Sequence, residues 1–226
     1  MTERSGESKE QVKLAKRYLD LLGHKACEMA DIGRQTHYFP DRKENDAEHS
    51  YHLALTSVEL AAEFYPTLDI GLVSQYSIVH DLVEVITGDI PSHTLNKKQR
   101  EEKHEMERAA LPALIEQLPP YTARLVQRYE DQIEPEARFV CLIDKLLPSV
   151  IHTIAPEANK EEFFRRYGIE SEDHLAQLSS ARSRQLREDY PEFDFIHVVR
   201  QLNSSVARKK ILEIGNKITS DRSLGE

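Results

Sequence analysis

Between Ile70 and Thr87 the chain is apolar at Ile70, Leu72, Val73, Tyr76, Ile78, Val79, Leu82, Val83, Val85 and Ile86, and no other stretch constrains the fold as tightly. Asp69 can cap a helix at its start and Gly88 can end it. The spacing predicts a helix over 70–87, apolar on most sides and therefore central and buried. Yet the same stretch holds His80, Asp81 and Glu84. A charged carboxylate in such a place is costly unless it is paired or bound to a metal. His80 and Glu84 are four apart and Asp81 and Glu84 three apart, so these side chains share one region of a helical surface.

The rest of the chain reads as helices around that one. Apolar residues recur at helical spacing from Lys9 to about Ala30 (Val12, Ala15, Leu19, Leu22, Ala26, Met29). Residues 33–45 lose that period and form a loop. Asp46 can cap a helix reaching about Tyr65, before Pro66. A charged amphipathic helix runs from Asn96 to about Leu118, with Pro112 as a possible kink. Pro119-Pro120 and Pro135 open the next two helices, the second reaching about Thr153. Later helices span roughly 160–167, 171–189 and 191–214. Only 8 Gly among 226 residues argues against a turn-rich β fold. The expectation is all-α, a helical bundle or orthogonal array forming one domain over 1–226, with a core of about 10–155 and C-terminal helices of about 158–215 packed on it.

Two more helices carry ionisable residues on apolar faces. In the helix from Glu136, Asp144 falls within the stripe Phe139, Val140, Ile143, Leu147, Val150, Ile151. It is either a metal ligand or half of a buried salt bridge, with Lys145 nearby. His49 lies four before Leu53 and shares its inward face. A single inward histidine is usually a hydrogen-bonded core residue, and a lone His-Asp pair is weak evidence. Three inward ionisable sites on three apolar helices are harder to dismiss. Two His and two Asp form a mixed nitrogen and oxygen set suited to Mn, Co, Fe or Zn more than to Ca.

The order His49, His80-Asp81, Asp144 resembles the HD-domain phosphohydrolase superfamily. The segments GRQTHYFPDRKENDAEHSYH, HDLVEVITGDIP and EARFVCLIDKL resemble its 5′-deoxynucleotidase branch, over roughly residues 10–155. The resemblance implies a metal-dependent phosphomonoesterase releasing phosphate from nucleoside 5′-monophosphates. It implies one divalent ion (Mn, Co, Fe, Zn or Mg) on His49, His80, Asp81 and Asp144. Arg34 would contact the substrate phosphate, Glu84 would orient or activate the attacking water, and Asp89 would sit near the sugar or leaving oxygen. It also implies a homodimer. Deoxyribose-selective members carry a Trp directly after the residue matching Arg34. This chain has Gln35 there and no Trp, so a 2′-hydroxyl could be tolerated or hydrogen-bonded.

The remaining features bound the function more loosely. A net charge of −9 disfavours nucleic-acid polymers but not a small phosphorylated substrate. No run approaches the ~18 apolar residues of a membrane span. The polar N-terminus lacks a secretion signal, which leaves the cytoplasm as the expected compartment. Cys27 and Cys141 read as buried free thiols. His52 and His104 read as surface or structural residues. His93 could line the pocket mouth, and Lys97 or Lys98 could reach a substrate phosphate. The basic clusters read as solvated faces. Two alternatives stay open: another phosphate ester as substrate (a triphosphate, an alarmone or a cyclic nucleotide), or a non-catalytic regulatory module.

Overall fold

A computed structural model describes residues 8–34, 42–90, 97–154, 172–202 and 209. In chain order the helices are α1 (Lys9–Asp31), α2 (Asp46–Phe64), α3 (Ile70–Val79), α4 (Glu84–Thr87), α5 (Lys97–Ile115), α6 (Pro120–Asp131), α7 (Pro135–Ile154) and α8 (Glu172–Asp189). A helical stretch over 194–202 follows α8. Among the described residues no strand forms, and Gly33 and Asn45 make an isolated antiparallel bridge. The all-α expectation holds. The short helix expected at 160–167 lies outside the described residues.

Helix α3 sits at the centre, packed on α2, α7 and α6. Val73 and Tyr76 are fully buried on it. One core cluster runs from Met29 to Ile196, with Phe139, Leu142, Ile143 and Leu147 of α7 as its fully buried spine. Tyr65, Phe139 and Phe193 stack around one another at centroid separations of 5.2–5.4 Å. Removing a buried ring such as Phe139 would cost about 3–5 kcal/mol. The buried Glu136 at the start of α7 accepts a hydrogen bond from the Asp69 backbone N–H (2.9 Å), tying α7 to the turn before α3.

Four sequence expectations need correction. The helix expected over 70–87 is not continuous: α3 ends at Val79, residues 80–83 form turns, and α4 restarts at Glu84. The backbone tightens there through i→i−3 bonds, Leu82 N–H to Val79 O (3.1 Å) and Glu84 N–H to Asp81 O (2.9 Å). The break falls on the His80-Asp81 pair. Next, α2 is capped by Asn45 and not by Asp46. Asn45 and Glu48 form a reciprocal capping box, which frees Asp46 to turn inward, where it is fully buried.

Third, the apolar stripe of α1 is mostly exposed, with Val12 at 55% and Leu19 at 74%, and only Lys25 and Met29 are buried on that helix. Its packing is with α2 and α4, and Met29 joins the core close to its C-terminal end. Last, the cysteines are free, but Cys27 is exposed and Cys141 half-buried. Cys27 follows α1 outward, and Cys141 lies 3.1 Å from the Tyr190 hydroxyl.

Candidate functional site

Three elements converge where the ionisable residues of the apolar helices meet. His49 projects from α2, His80 and Asp81 from the turn after α3, and Asp144 from α7. His49 Nε2 lies 3.0 Å from Asp144 Oδ1 and 4.0 Å from Asp81 Oδ2, while His80 Nε2 lies 2.8 Å from the same Asp81 oxygen. The two imidazoles stand 5.2 Å apart. One ligand atom each from His49, His80 and Asp144 can be chosen so that all lie within 4.8 Å of one another, a spacing at which they could share one metal ion.

The donor chemistry fits such an ion. His80 Nδ1 lies 3.0 Å from the Ser77 carbonyl oxygen, so Nδ1 carries the hydrogen and donates. In the neutral ring this leaves the lone pair on Nε2, which is buried and, among the described residues, makes no hydrogen bond. Its approach to Asp81 is close, but it makes no well-directed hydrogen bond. His49 Nδ1 faces the buried carboxylate of Glu44 at 3.6 Å, an arrangement that presents Nε2 to the same centre. Burial and Arg34 push the His49 imidazole toward neutrality, yet the hydrogen bond to Asp144 and the facing Glu44 carboxylate outweigh them and raise its pKa to about 9. A ligating histidine is neutral, so binding a cation there releases protons. Burial opposes ionisation of Asp144, but Lys145 Nζ at 2.5 Å and the His49 hydrogen bond hold it well below the usual carboxylate range.

A second group adjoins the first. Carboxylate oxygens of Asp46, Asp81 and Glu84 also lie within 4.8 Å of one another, but cations of the chain stand among them. Arg34 Nη1 donates to Asp81 Oδ2 (2.6 Å) and Asp46 Oδ1 (3.0 Å), and Lys103 Nζ donates to Glu84 Oε1 (3.1 Å). Arg34 is placed by backbone pairing. Its N–H bonds Glu44 O (2.8 Å) and the Asp46 N–H bonds Ile32 O (3.2 Å), so both ends of the intervening loop are pinned beside α2. Burial opposes ionisation of Asp81, but His80 and Arg34 keep it ionised. Burial and the Asp81 charge raise Asp46 to about 6 and Glu84 to about 9.

The expected residues His49, His80, Asp81, Asp144, Glu84 and Arg34 thus meet at one place. Asp89 lies directly after Gly88, near enough for its charge to add to the rise at Asp46. Gln35 and His93 lie outside the described residues. Lys97 begins α5, but its side chain is also outside them. His104 is exposed beside Glu107, as expected, and His52 is half-buried, with its pKa lowered mainly by burial.

Sequence reasoning missed Glu44, Asp46 and Lys103 as members of the site. Two of these had a signal: Asp46 precedes His49 by three on the inward face of α2, and Lys103, Glu107, Leu111 and Leu114 form an inward stripe on α5. Lys145 was seen only as a possible salt-bridge neighbour of Asp144, and its pairing is real.

Comparison with known proteins places the chain among similar sequences and folds. The chain is 32% identical over 113 residues to 5′-deoxynucleotidase hdd1 of Schizosaccharomyces pombe, covering 46% of this chain and 54% of that protein. It is 30% identical over 109 residues to 5′-deoxynucleotidase HDDC2 of Homo sapiens, covering 46% and 50%. The chain therefore spans about half the length of the curated relatives it matches. In fold it is similar to a crystal structure described as a predicted metal-dependent phosphohydrolase from Magnetospirillum magnetotacticum, with a TM-score of 0.61 at 23% identity, covering 86% of this chain and 97% of that one. The HD domain model matches residues 29–187, well over half of the chain, and the protein belongs to the HD-domain family.

Proposed function

We propose that the protein is a metal-dependent phosphomonoesterase that releases phosphate from nucleoside 5′-monophosphates. The observation that carries this reading is the buried, unpartnered Nε2 of His80, facing His49, Asp81 and Asp144 with Arg34 alongside. In this reading His49, His80, Asp81 and Asp144 hold one divalent ion. Such an ion supplies Lewis acidity, activating water near neutral pH and screening phosphate charge. The similarity to 5′-deoxynucleotidases supports a nucleotide substrate.

The chain's own residues have separable tasks. Arg34 presents a planar guanidinium, and its Nη1 bonds to Asp81 and Asp46 would be exchanged for, or shared with, phosphate oxygens. Glu84 takes the proton of the attacking water. Its Oε1 is held by Lys103, while Oε2 is buried and without a hydrogen-bond partner, so that oxygen is open to accept. Burial and the Asp81 charge favour the protonated Glu84 carboxyl, and a cation held beside Asp81 would offset that charge and free the carboxylate to accept. Asp89, directly after Gly88, faces the sugar or leaving oxygen, and Gln35, directly after Arg34, sets tolerance of a 2′-hydroxyl. Lys97 adds a possible phosphate contact. We read the chain as one catalytic domain that works in the cytoplasm as a homodimer. Light scattering on the purified chain tests the assembly.

Phosphate release from ribo- and deoxynucleoside 5′-monophosphates, measured on metal-stripped protein with Mn, Co, Zn or Mg restored, tests the activity. Release that requires metal and disappears in Asp81→Ala is expected. Pyrophosphate or triphosphate release from nucleoside triphosphates alone would move the substrate and keep the site.

A further inference from the structure

Lys103 is a largely covered cation to which neither the sequence pattern nor the similarity to other proteins gives a role. Its side chain is 12% exposed, although α5 begins as a heavily charged helix. An ammonium has three donors, and three acceptors surround this one. Nζ donates to Glu84 Oε1 at 3.1 Å and to the Ile90 carbonyl oxygen at 2.9 Å, and it pairs with Glu107 Oε1 at 3.3 Å. Glu107 lies one turn further along α5 and is equally covered, so it anchors the lysine from its own helix.

The other two contacts reach different parts of the site. Glu84 opens α4, immediately after the tightened turn that carries His80 and Asp81. Ile90 follows Gly88, where φ is +73°, and Asp89 in the segment that leaves α4. One nitrogen therefore fixes the start of α4 and the segment that follows it. Occupying Glu84 Oε1 also leaves Oε2 as the oxygen without a partner.

We propose that Lys103 is a positioning residue that locks the Glu84 carboxylate and the Gly88–Ile90 segment into one orientation, acting on the reaction through Glu84 rather than by touching substrate. This rests on the phosphomonoesterase reading for its kinetic consequence, but not for its structural one. A lysine that served only to neutralise buried acids would not need the Ile90 carbonyl. One that bound phosphate would not spend its three donors on the protein.

The test compares the full chain carrying Lys103→Met, Lys103→Arg or Lys16→Met, the last an exposed lysine of α1 paired with Asp20. Amide hydrogen exchange over residues 84–90 is measured first, without substrate. Lys103→Met should accelerate exchange there by about tenfold or more while α7 keeps its protection, and Lys16→Met should change nothing. Unchanged exchange at 84–90 overturns the proposal, as does an equal loss of protection throughout, which would make Lys103 a general stabiliser. With a nucleoside monophosphate as substrate, Lys103→Met should lower kcat by about tenfold with KM held within about twofold, and Lys103→Arg should recover part of the loss. A raised KM with kcat retained would make Lys103 a substrate contact and overturn the proposal. If the wild-type protein turns over no monophosphate, the functional reading fails, and the exchange result alone still decides the role of Lys103.

Discussion

Two groups of acids meet in this protein, and they solve the same problem in opposite ways. Around His49, His80 and Asp144 two imidazoles face one carboxylate, with Lys145 beside Asp144, and among the described residues a buried ring nitrogen is left without a hydrogen bond. Around Asp46, Asp81 and Glu84 the partners are the chain's own cations, Arg34 and Lys103. Buried charge must be compensated. Imidazoles can give up their protons to an external cation, whereas a guanidinium and an ammonium keep theirs. The first group is suited to holding an ion and the second to handling anionic substrate and protons. Asp81 belongs to both, with Oδ2 within 2.8 Å of His80 Nε2 and 2.6 Å of Arg34 Nη1, so it couples them.

Breaking the shared member should have the largest effect. Asp81→Ala removes a ligand from one group and an anchor from the other, and phosphate release should fall by about a thousandfold or more, with bound metal lost in parallel by elemental analysis. Removing the ion itself comes next. Chelation should lower the thermal midpoint of the wild-type protein, and restoring Mn or Zn should recover it, whereas His80→Ala should show little response to either. Glu84→Gln separates the two groups. It should cost about a hundredfold in kcat with bound metal unchanged, because only the proton acceptor is lost. Arg34→Lys should raise KM by about tenfold with a smaller change in kcat, since a point charge replaces a planar fork.

The smallest effect concerns pH. Burial, then Glu107 and Asp81, raise the Glu130 carboxyl to about 7 from an ordinary 4.5. Because its folded pKa is the higher one, the stability linked to its protonated form is full below 4.5 and is lost as pH rises through about 7. Glu130→Gln should therefore match the wild-type midpoint in acid and exceed it in mild alkali, as read from thermal melts across that range.

Much of this was legible before any coordinates. The four expected ligands could be read because each breaks an apolar pattern: His80 and Asp81 interrupt the most apolar stretch of the chain, and Asp144 interrupts the stripe that became the spine of α7. Asp46 was hidden by its residue type, since an aspartate near a helix start reads as a cap, and only the Asn45–Glu48 box shows that the cap is elsewhere. Lys103 and Glu107 were hidden by company, being charges among charges, although their spacing to Leu111 and Leu114 puts them on the inner face. The break at 80–83 carries no Gly or Pro, and the apolar run continues through Leu82 and Val83, so the sequence pattern does not mark it. It coincides with the i→i−3 bonds at Leu82 and Glu84, which bracket His80 and Asp81. The stripe of α1 failed for the converse reason, since periodicity gives a face and not what covers it.

The central claim is that His49, His80, Asp81 and Asp144 hold a divalent ion that works on nucleoside monophosphates. Phosphate release from a panel of ribo- and deoxynucleoside 5′-monophosphates, on metal-stripped and metal-restored protein beside Asp81→Ala, tests it most directly. Release that appears only with metal and vanishes in Asp81→Ala is the predicted result, and the ribo-to-deoxy ratio would then measure what Gln35 does. Release that survives both stripping and the Asp81→Ala substitution, or none from any monophosphate despite a tightly bound ion, would contradict the account.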